Sequence, residues 1–504
     1  MPTPAPSTSV PAAPARSGND ADDSRDEPGP PEPATADSLI VSPIDGRPVR
    51  RVGRMTGAEV ATAYDTARTA LADWRGMPAE RRGRILLRTA ELLDSRVEEF
   101  ARAETLNTGK LLKDTRREAT RAAACFAYYG GLADKVTGDT LDVPGPFHTY
   151  TRREPYGVAV GIIPWNVPYV FAAKKIAPAL AFGNVSLLKP AEETPLTALM
   201  LAEVLVEAGL PEGVAQIVTG DADTGRALVS DPRADLIVFT GADSTGRAIA
   251  AEAAARLTPT AMELGGKSPQ IVFADADLDG ALASVLLGAF SATGQMCIAG
   301  SRLLVQREVY EPFVARLREA VAGLRVGDPR ERSVQVGPHV TPGQRDKTLR
   351  MIEAGLAEGA IRAAAAPVPD DERLAGGFYV PPTLFTGVTP EMTVMREEIF
   401  GPVLAAMPFD TEEEALELAH ATDFGLAAGV WTGDLGRAHR MAARLRVGTV
   451  WLNTYRMLSD SVPFGGVGRS GYGREGGPDA VRLYTWTKSV WTSTEPGPPP
   501  GYEF

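Results

Sequence analysis

The stretch Val158-Ala-Val-Gly-Ile-Ile-Pro-Trp-Asn-Val-Pro-Tyr-Val-Phe-Ala-Ala-Lys-Lys-Ile-Ala-Pro-Ala-Leu-Ala-Phe-Gly-Asn-Val-Ser-Leu-Leu-Lys189 sets the architecture. Val158 to Ile163 is a short, β-branched apolar run stopped by Pro164, which reads as a buried strand. Tyr169 to Leu180 reads as a helix, and Ser186 to Lys189 returns to a strand. The alternation continues with a helix at Leu196 to Glu207, a strand at Ala215 to Val218, and a helix at Asp223 to Ser230 capped by Asp223. A strand at Leu236 to Thr240, a helix at Ser244 to Ala255 and a strand at Thr260 to Leu264 complete it. Repeated strand–helix–strand units predict an α/β fold with a parallel, doubly wound sheet, which takes its ligands at the carboxyl ends of the strands.

Upstream, Ser42-Pro-Ile-Asp-Gly reads as a turn, followed by helices at Thr56 to Trp74, Ala79 to Asn107 and Lys113 to Lys135, and a strand at His148 to Glu154. Downstream, strands at Gln270 to Phe273, Ser301 to Val305, Val403 to Met407, Leu426 to Thr432 and Gly448 to Leu452 alternate with helices. Those helices are Glu308 to Leu324, Gly343 to Ala357, Thr411 to Ala421 and Leu435 to Leu445. This predicts a second α/β domain. Tyr484 to Ser493 is β-rich and carries tryptophan, and there is no internal repeat.

The 504 residues can hold two or three domains; 44% are hydrophobic and 23% charged, as in ordinary globular enzymes. A net charge of −12 disfavours nucleic acid or an anionic membrane as a partner. Two cysteines give neither a disulfide framework nor a metal-ligand spacing, so no metal is expected and a reducing cytoplasm is. The longest apolar run, Tyr156 to Leu188, is broken by Pro164, Pro168 and the pair Lys174, Lys175, so no membrane span is expected. Residues 1–38 are rich in Pro, Ala, Ser and Asp and read as a disordered tail without the features of a secretory signal.

Two segments carry chemistry. Ser291-Ala-Thr-Gly-Gln-Met-Cys-Ile-Ala-Gly-Ser-Arg302 places Cys297 between a helix (Leu278 to Ala292) and a strand, among small residues that leave room for a substrate. The other cysteine, Cys125, lies in an Ala-rich helical run that reads as packing. Met262-Glu-Leu-Gly-Gly-Lys-Ser-Pro269 puts Glu263 at a strand end, with two glycines that let the carboxylate swing. A thiol nucleophile and a mobile carboxylate suit thioester chemistry with a hydrolytic second step. Taken singly, a lone cysteine is more often a small buried hydrophobe, and a lone glutamate a solvated side chain.

Together, Gly-Gln-x-Cys-x-Ala and Glu-Leu-Gly-Gly-Lys-Ser-Pro resemble the two signature segments of the aldehyde dehydrogenase superfamily, in order and roughly in spacing. The resemblance runs from about Ser38 to Ser493. It implies a Rossmann-like cofactor domain (39–136 and 153–264), a catalytic domain (265–468) and oligomerisation strands (137–152 and 484–497). It also implies a homodimer or homotetramer. The implied catalytic set is Cys297 as nucleophile, Glu263 as base for deacylation, Asn166 in the oxyanion hole and Lys175 in proton relay. Ile162, Ile163, Pro164 and Trp165 would pass along a nicotinamide cofactor, and Lys189 and Glu192 would clamp its adenosine ribose. Gly225, Gly241, Gly246 and Leu264 would line the site. Glu398, in Glu397-Glu398-Ile-Phe-Gly-Pro, would hold the nicotinamide ribose and Phe400 would pack on the ring. A carboxylate at Glu192 repels a 2′-phosphate, favouring NAD, although some relatives also take NADP.

The phosphate-binding signal is not the common G-x-G-x-x-G. It is Phe239-Thr240-Gly241 followed by a helix at Gly246, with Ala242 where the family often has serine. Pro463-Phe464-Gly465-Gly466 and Ser470-Gly471 also resemble family segments, with Gly468 where a lysine is common. Val167, Lys174, Met296, Ile298, Tyr455, Arg456 and Leu458 would surround the aldehyde. Relatives acting on trimethylammonium aldehydes rely on aromatic walls, and Lys174 stands where an aromatic is common. Lys174 or Arg456 would instead suit a carboxylate-bearing semialdehyde. Three rivals are weaker. An enzyme transferring the acyl group to coenzyme A usually lacks the Glu263 base. A cofactor-free cysteine hydrolase needs a histidine, and His148, His339, His420 and His439 all lie outside the motifs. A non-catalytic relative would be expected to have lost Cys297 or Glu263.

Overall fold

The computed structural model describes residues 37–497. The segment read as a disordered tail lies outside the described residues up to residue 36. Ser38, counted with that tail, instead opens the strand Ser38–Val41, which pairs antiparallel with Pro48–Val52.

The first sheet has the spatial order Ala215–Ile217, Val185–Lys189, Val158–Ile162, Leu236–Thr240, Thr260–Glu263, all parallel, with Gly471–Tyr472 antiparallel at the edge. Val158, Val160, Leu187, Ile237 and Val238 are inaccessible because helices cover both faces, which is why these strands read as unbroken apolar runs. The direction in which successive strands are added reverses between Val158–Ile162 and Leu236–Thr240. Such a reversal leaves a crevice at the carboxyl ends of the two strands. The register places Ile162 beside both Lys189 and Phe239, and Thr240 beside Glu263. Four segments of the site thus emerge together.

The second sheet runs Ile361–Ala365, Thr383–Thr386, Val403–Phe409, Arg302–Gln306, Pro269–Val272, Ala427–Trp431, Thr449–Leu452. It is parallel except for the antiparallel first pair. The linker Leu264–Ser268 passes directly from the last parallel strand of the first sheet to Pro269–Val272 of the second. Arg302 anchors it: the buried guanidinium donates to the carbonyls of Lys267 (2.8 Å), Leu418 (2.7 Å) and Ala419 (2.7 Å). A third sheet pairs Phe147–Pro155 antiparallel with Thr485–Ser493 and with Thr140–Leu141.

Several expected elements shift. The single helix expected over Ala79 to Asn107 is two, Ala79–Ser95 and Val97–Thr108, parted at Arg96 (φ −116°, ψ 18°). The helix Ala222–Ser230 is capped by Asp221, not Asp223. The Asp221 carboxylate accepts from Asp223 N (2.9 Å) and Thr224 N (3.3 Å), the donors that an N-cap satisfies. The helix expected to reach Ala292 is Leu278–Phe290. Beyond 468 the chain returns to the first half, where Asn184 donates to the Tyr484 carbonyl (3.0 Å) and accepts from Gly157 N (3.0 Å). Among the described residues no helix is long and apolar enough to cross a membrane.

Candidate active site

Cys297 sits on the loop between Leu278–Phe290 and Arg302–Gln306. Ala292 (φ 49°) and Thr293 (φ 59°) hold left-handed backbone, which non-glycine residues adopt only when surroundings impose it. The imposing contacts come from the segment 337–340. Thr293 Oγ1 donates to the Gly337 carbonyl (3.0 Å), and Gln295 Oε1 accepts from Val340 N (3.1 Å). Asn166 Nδ2 in turn donates to the Gln295 carbonyl (2.8 Å). The amide of Asn166 and the backbone of the cysteine loop are therefore one unit.

Two cavities meet at the sulfur. One is walled by Pro164, Trp165, Asn166, Gly241, Glu398 and Phe400, among others. The other is walled by Val167, Lys174, Met296, Ile298, Leu458 and Phe464, among others. Phe171, Thr240, Glu263, Leu264 and Cys297 belong to both. The thiol, on the loop leading into the second sheet, and the carboxylate, at the end of a strand of the first, share the boundary between the two spaces.

The surroundings of the resting site disfavour the charged form of both groups. Burial, then the charges of Glu398 and Glu263, push the Cys297 thiol up to about 12, against the pull of Ile298 N–H and Lys174. Burial, then Glu475, raises Glu263 well above the usual carboxylate range; both its oxygens are buried and lack protein partners. Lys175 is bound to Glu475 and donates to Thr240 Oγ1 (2.8 Å), in a buried chain beside Glu263.

Because the thiol is raised, its reactive thiolate grows with pH and does not level off near the ordinary cysteine value of ~8.5. Iodoacetamide labelling of Cys297 in the cofactor-free protein should therefore keep accelerating about tenfold per pH unit past that value. Labelling followed by mass spectrometry with and without NAD checks this; added NAD should move the profile to lower pH. A plateau near the ordinary value in the free protein would contradict the buried environment described.

On the first cavity's side, Glu398 crosses the linker, its Oε1 accepting from Gly266 N (2.9 Å). The two glycines behind Glu263 are needed for close approach: a Cβ on Gly265 would overlap the Glu398 carboxylate, and one on Gly266 would stand 2.6 Å from the Cys297 carbonyl oxygen. Phe400 has left-handed backbone (φ 58°) and meets the Trp165 ring edge-on at 5.2 Å. Ile163 is buried behind this wall and Ile162 ends its strand. Gly246 lets the helix Asp243–Ala254 press on Leu264, since a Cβ there would stand 2.5 Å from the Leu264 side chain. That helix has no side-chain cap at Ala242, so its first N–H groups remain free for an anion.

Lys189, Glu192 and Gly225 gather farther along the strand ends and line neither cavity. The Lys189 side chain packs 3.6 Å from where a Gly225 Cβ would be, and Glu192 Oε2 is buried without a partner.

On the second cavity's side, Val167, Lys174, Met296, Ile298 and Leu458 form walls. Tyr455 does not reach the surface. It is buried behind Ile298, donating from its hydroxyl to the Ile298 carbonyl (3.0 Å). Arg456 likewise lines neither cavity and donates to the Leu287 carbonyl (3.3 Å). Sequence reading missed Arg121, Phe171 and Glu475, which come from a distant helix, a helix face and a glycine-rich loop, and it noted Phe464 only as part of a motif, without a place at this cavity. It also missed Gln344 and Lys347, whose three-residue spacing on one helix places them together at the first cavity.

This geometry coincides with a known family. The aldehyde dehydrogenase family model matches residues 32–490. Betaine aldehyde dehydrogenase 1 of Rhizobium meliloti (strain 1021) is 45% identical over 459 residues, covering 90% of this chain and 94% of that protein. Among solved structures, PnpE in complex with nicotinamide adenine dinucleotide and PnpE from Pseudomonas sp. WBC-3 each align with a TM-score of 0.90 at 39% identity, over 93% of this chain and 96% of that one. Betaine aldehyde dehydrogenase (betB) from Staphylococcus aureus in complex with NAD+ aligns with a TM-score of 0.90 at 35% identity, over 93% and 94%. The chain belongs to the aldehyde dehydrogenase family.

Proposed function

We propose that this chain oxidises an aldehyde to its carboxylic acid with NAD, through an acyl group carried on Cys297. The observation that carries the reading is the shared boundary. A thiol and an unpartnered carboxylate face both cavities, with the Asn166 amide beside them.

The residues fit the dinucleotide. Glu192 Oε2, buried and unsatisfied, suits a ribose hydroxyl, and Lys189 stands close by. The uncapped start of Asp243–Ala254 suits a pyrophosphate, and Glu398 and Phe400 suit the nicotinamide riboside. The carboxylate of Glu192 favours NAD over NADP. Bound NAD supplies the hydride acceptor for the aldehyde carbon.

The chain's own residues do the rest. The Cys297 sulfur adds to the carbonyl carbon as the thiol proton passes to solvent water, the one proton released per turnover. The oxygen that becomes anionic meets Asn166 Nδ2 and the Cys297 backbone N–H, which makes no hydrogen bond among the described residues. Once the carbon is oxidised its carbonyl reforms as a thioester. Glu263 then takes a proton from water, the hydroxide attacks the thioester, and the acid leaves as the sulfur regains its proton. Lys175, between Thr240 and Glu475, is placed to pass protons onward from this pocket.

NADH formation across an aldehyde panel, without coenzyme A, tests the reading; no reduction with any aldehyde would overturn it. Asn166→Ala should lower kcat by about 10²–10³ while leaving the aldehyde KM within severalfold, as expected for a donor that acts on a developing anion. Steady-state kinetics check it.

A trimethylammonium aldehyde is a second reading of the substrate, favoured by the 45% identity to the Rhizobium protein. Residues 39–136 and 153–264 act as the cofactor domain and 265–468 as the catalytic domain in this proposal. The third sheet supports assembly as a homodimer or homotetramer: Thr485–Ser493 is largely exposed and Trp491 is 59% accessible. Two free cysteines are compatible with a reducing cytoplasm.

A further inference from the structure

The second cavity carries positive charge that the chemistry at its floor does not use. Lys174, from the helix Pro168–Ala181, and Arg121, from Leu112–Leu132, both line it. Among the described residues neither makes an ion pair or a side-chain hydrogen bond, and Arg121 Nε is buried without a partner. No nearby carboxylate forms an ion pair with either. Glu475 is committed to Lys175, and Glu118 to Lys110. Burial drives Glu263 toward its neutral form. Asp460 is buried with Oδ1 unpartnered and pairs with neither cation.

The aromatic surface is also taken. Lys174 Nζ stands 5.7 Å from the centroid of the Phe464 ring, within cation–π range. A quaternary ammonium would need that ring face for itself and would meet like charge there. Phe171 is the other aromatic wall, and Tyr455 is buried out of reach behind Ile298.

We infer that the aldehyde carries a carboxylate at its far end, received by Lys174 and Arg121 while the carbonyl lies at Cys297 and the chain between runs along Val167, Met296 and Leu458. This deepens the dehydrogenase reading and rests on it. A guanidinium with a free, buried Nε is suited to a planar carboxylate, and charge-assisted bonds in a partly dry tunnel are stronger than neutral ones.

The test compares ω-carboxylated aldehydes of increasing length (the semialdehydes of succinate, glutarate and adipate) with their methyl esters and with betaine aldehyde. For the best length, kcat/KM should exceed that of its ester by at least about tenfold, and that of betaine aldehyde by more. In Lys174→Gln the acid-to-ester ratio should fall toward one, mainly through the KM of the acid. The wild-type comparison decides the matter even if that variant folds poorly. Equal use of acid and ester, a preference for betaine aldehyde, or a ratio unchanged by Lys174→Gln overturns this inference and leaves the dehydrogenase reading standing. No NADH from any aldehyde overturns both.

Discussion

Cys297→Ala should lower aldehyde oxidation by on the order of 10⁴–10⁶, the scale on which loss of a covalent nucleophile is felt. The same protein should still bind NAD, because the residues suited to that ligand (Glu192, Lys189, Glu398 and Phe400) belong to other segments. NADH formation in steady state, with NAD binding by fluorescence titration or calorimetry on the same sample, checks both halves. Retained oxidation would remove the sulfur from the mechanism. The alternative thiol is no substitute: Cys125 is fully buried in the helical core, and burial raises its pKa well above the ordinary thiol value.

Glu263→Gln should have the next largest effect, and a different signature. Acylation does not need the carboxylate, so the first turnover should persist as a burst of NADH. Deacylation should then slow by about 10²–10⁴, the usual worth of a positioned general base. Wild type should show a related behaviour with pH. Burial and Glu475 raise the Glu263 pKa, so at low pH it is protonated and cannot accept a proton from water. As pH rises through that value the base form appears and the steady-state rate should climb toward the burst rate. In Glu263→Gln this recovery should be absent. Rapid-mixing records of NADH over a pH series distinguish the two; a variant with the wild-type pH profile would show that another group activates the water.

Buried strands such as Val158–Ile162 and Leu236–Thr240 were legible because they contain nothing but apolar residues and glycine or threonine, but Thr383–Thr386, buried inside the second sheet, was not read, being too short and half threonine to mark itself. Nor was the edge strand Ile361–Ala365. Ile361 is 62% exposed and Arg362 is exposed, so no alternation marks it. The Asp221 cap was missed because Asp221 and Asp223 are equivalent by type, and only the backbone decides which carboxylate faces the free N–H groups.

In the site, Cys297, Glu263 and Asn166 could be picked out by the wording around them. Their meeting across two sheets depends on long-range pairing that no local pattern carries. Glu475 was invisible for a related reason. It lies in a glycine-rich stretch and reaches Lys175 only because Phe464 and Glu475 exchange backbone hydrogen bonds (2.6 and 2.8 Å) that fold the loop inward. The left-handed backbone at Ala292 and Thr293 has no signature at all, since both residue types avoid it.

Apart from Met296 and Ile298, which flank the sulfur, the walls of the second cavity come largely from pieces of chain that supply neither the sulfur nor the Glu263 carboxylate: the helices bearing Arg121 and Lys174, and the loop bearing Leu458 and Phe464. Reactivity and selectivity therefore rest on largely separate segments. Exchanging a few side chains in those pieces would change the cavity's chemistry while leaving Cys297 and Glu263 in place. Close kinship to enzymes named for a cationic aldehyde is thus no obstacle to this chain serving an acidic one.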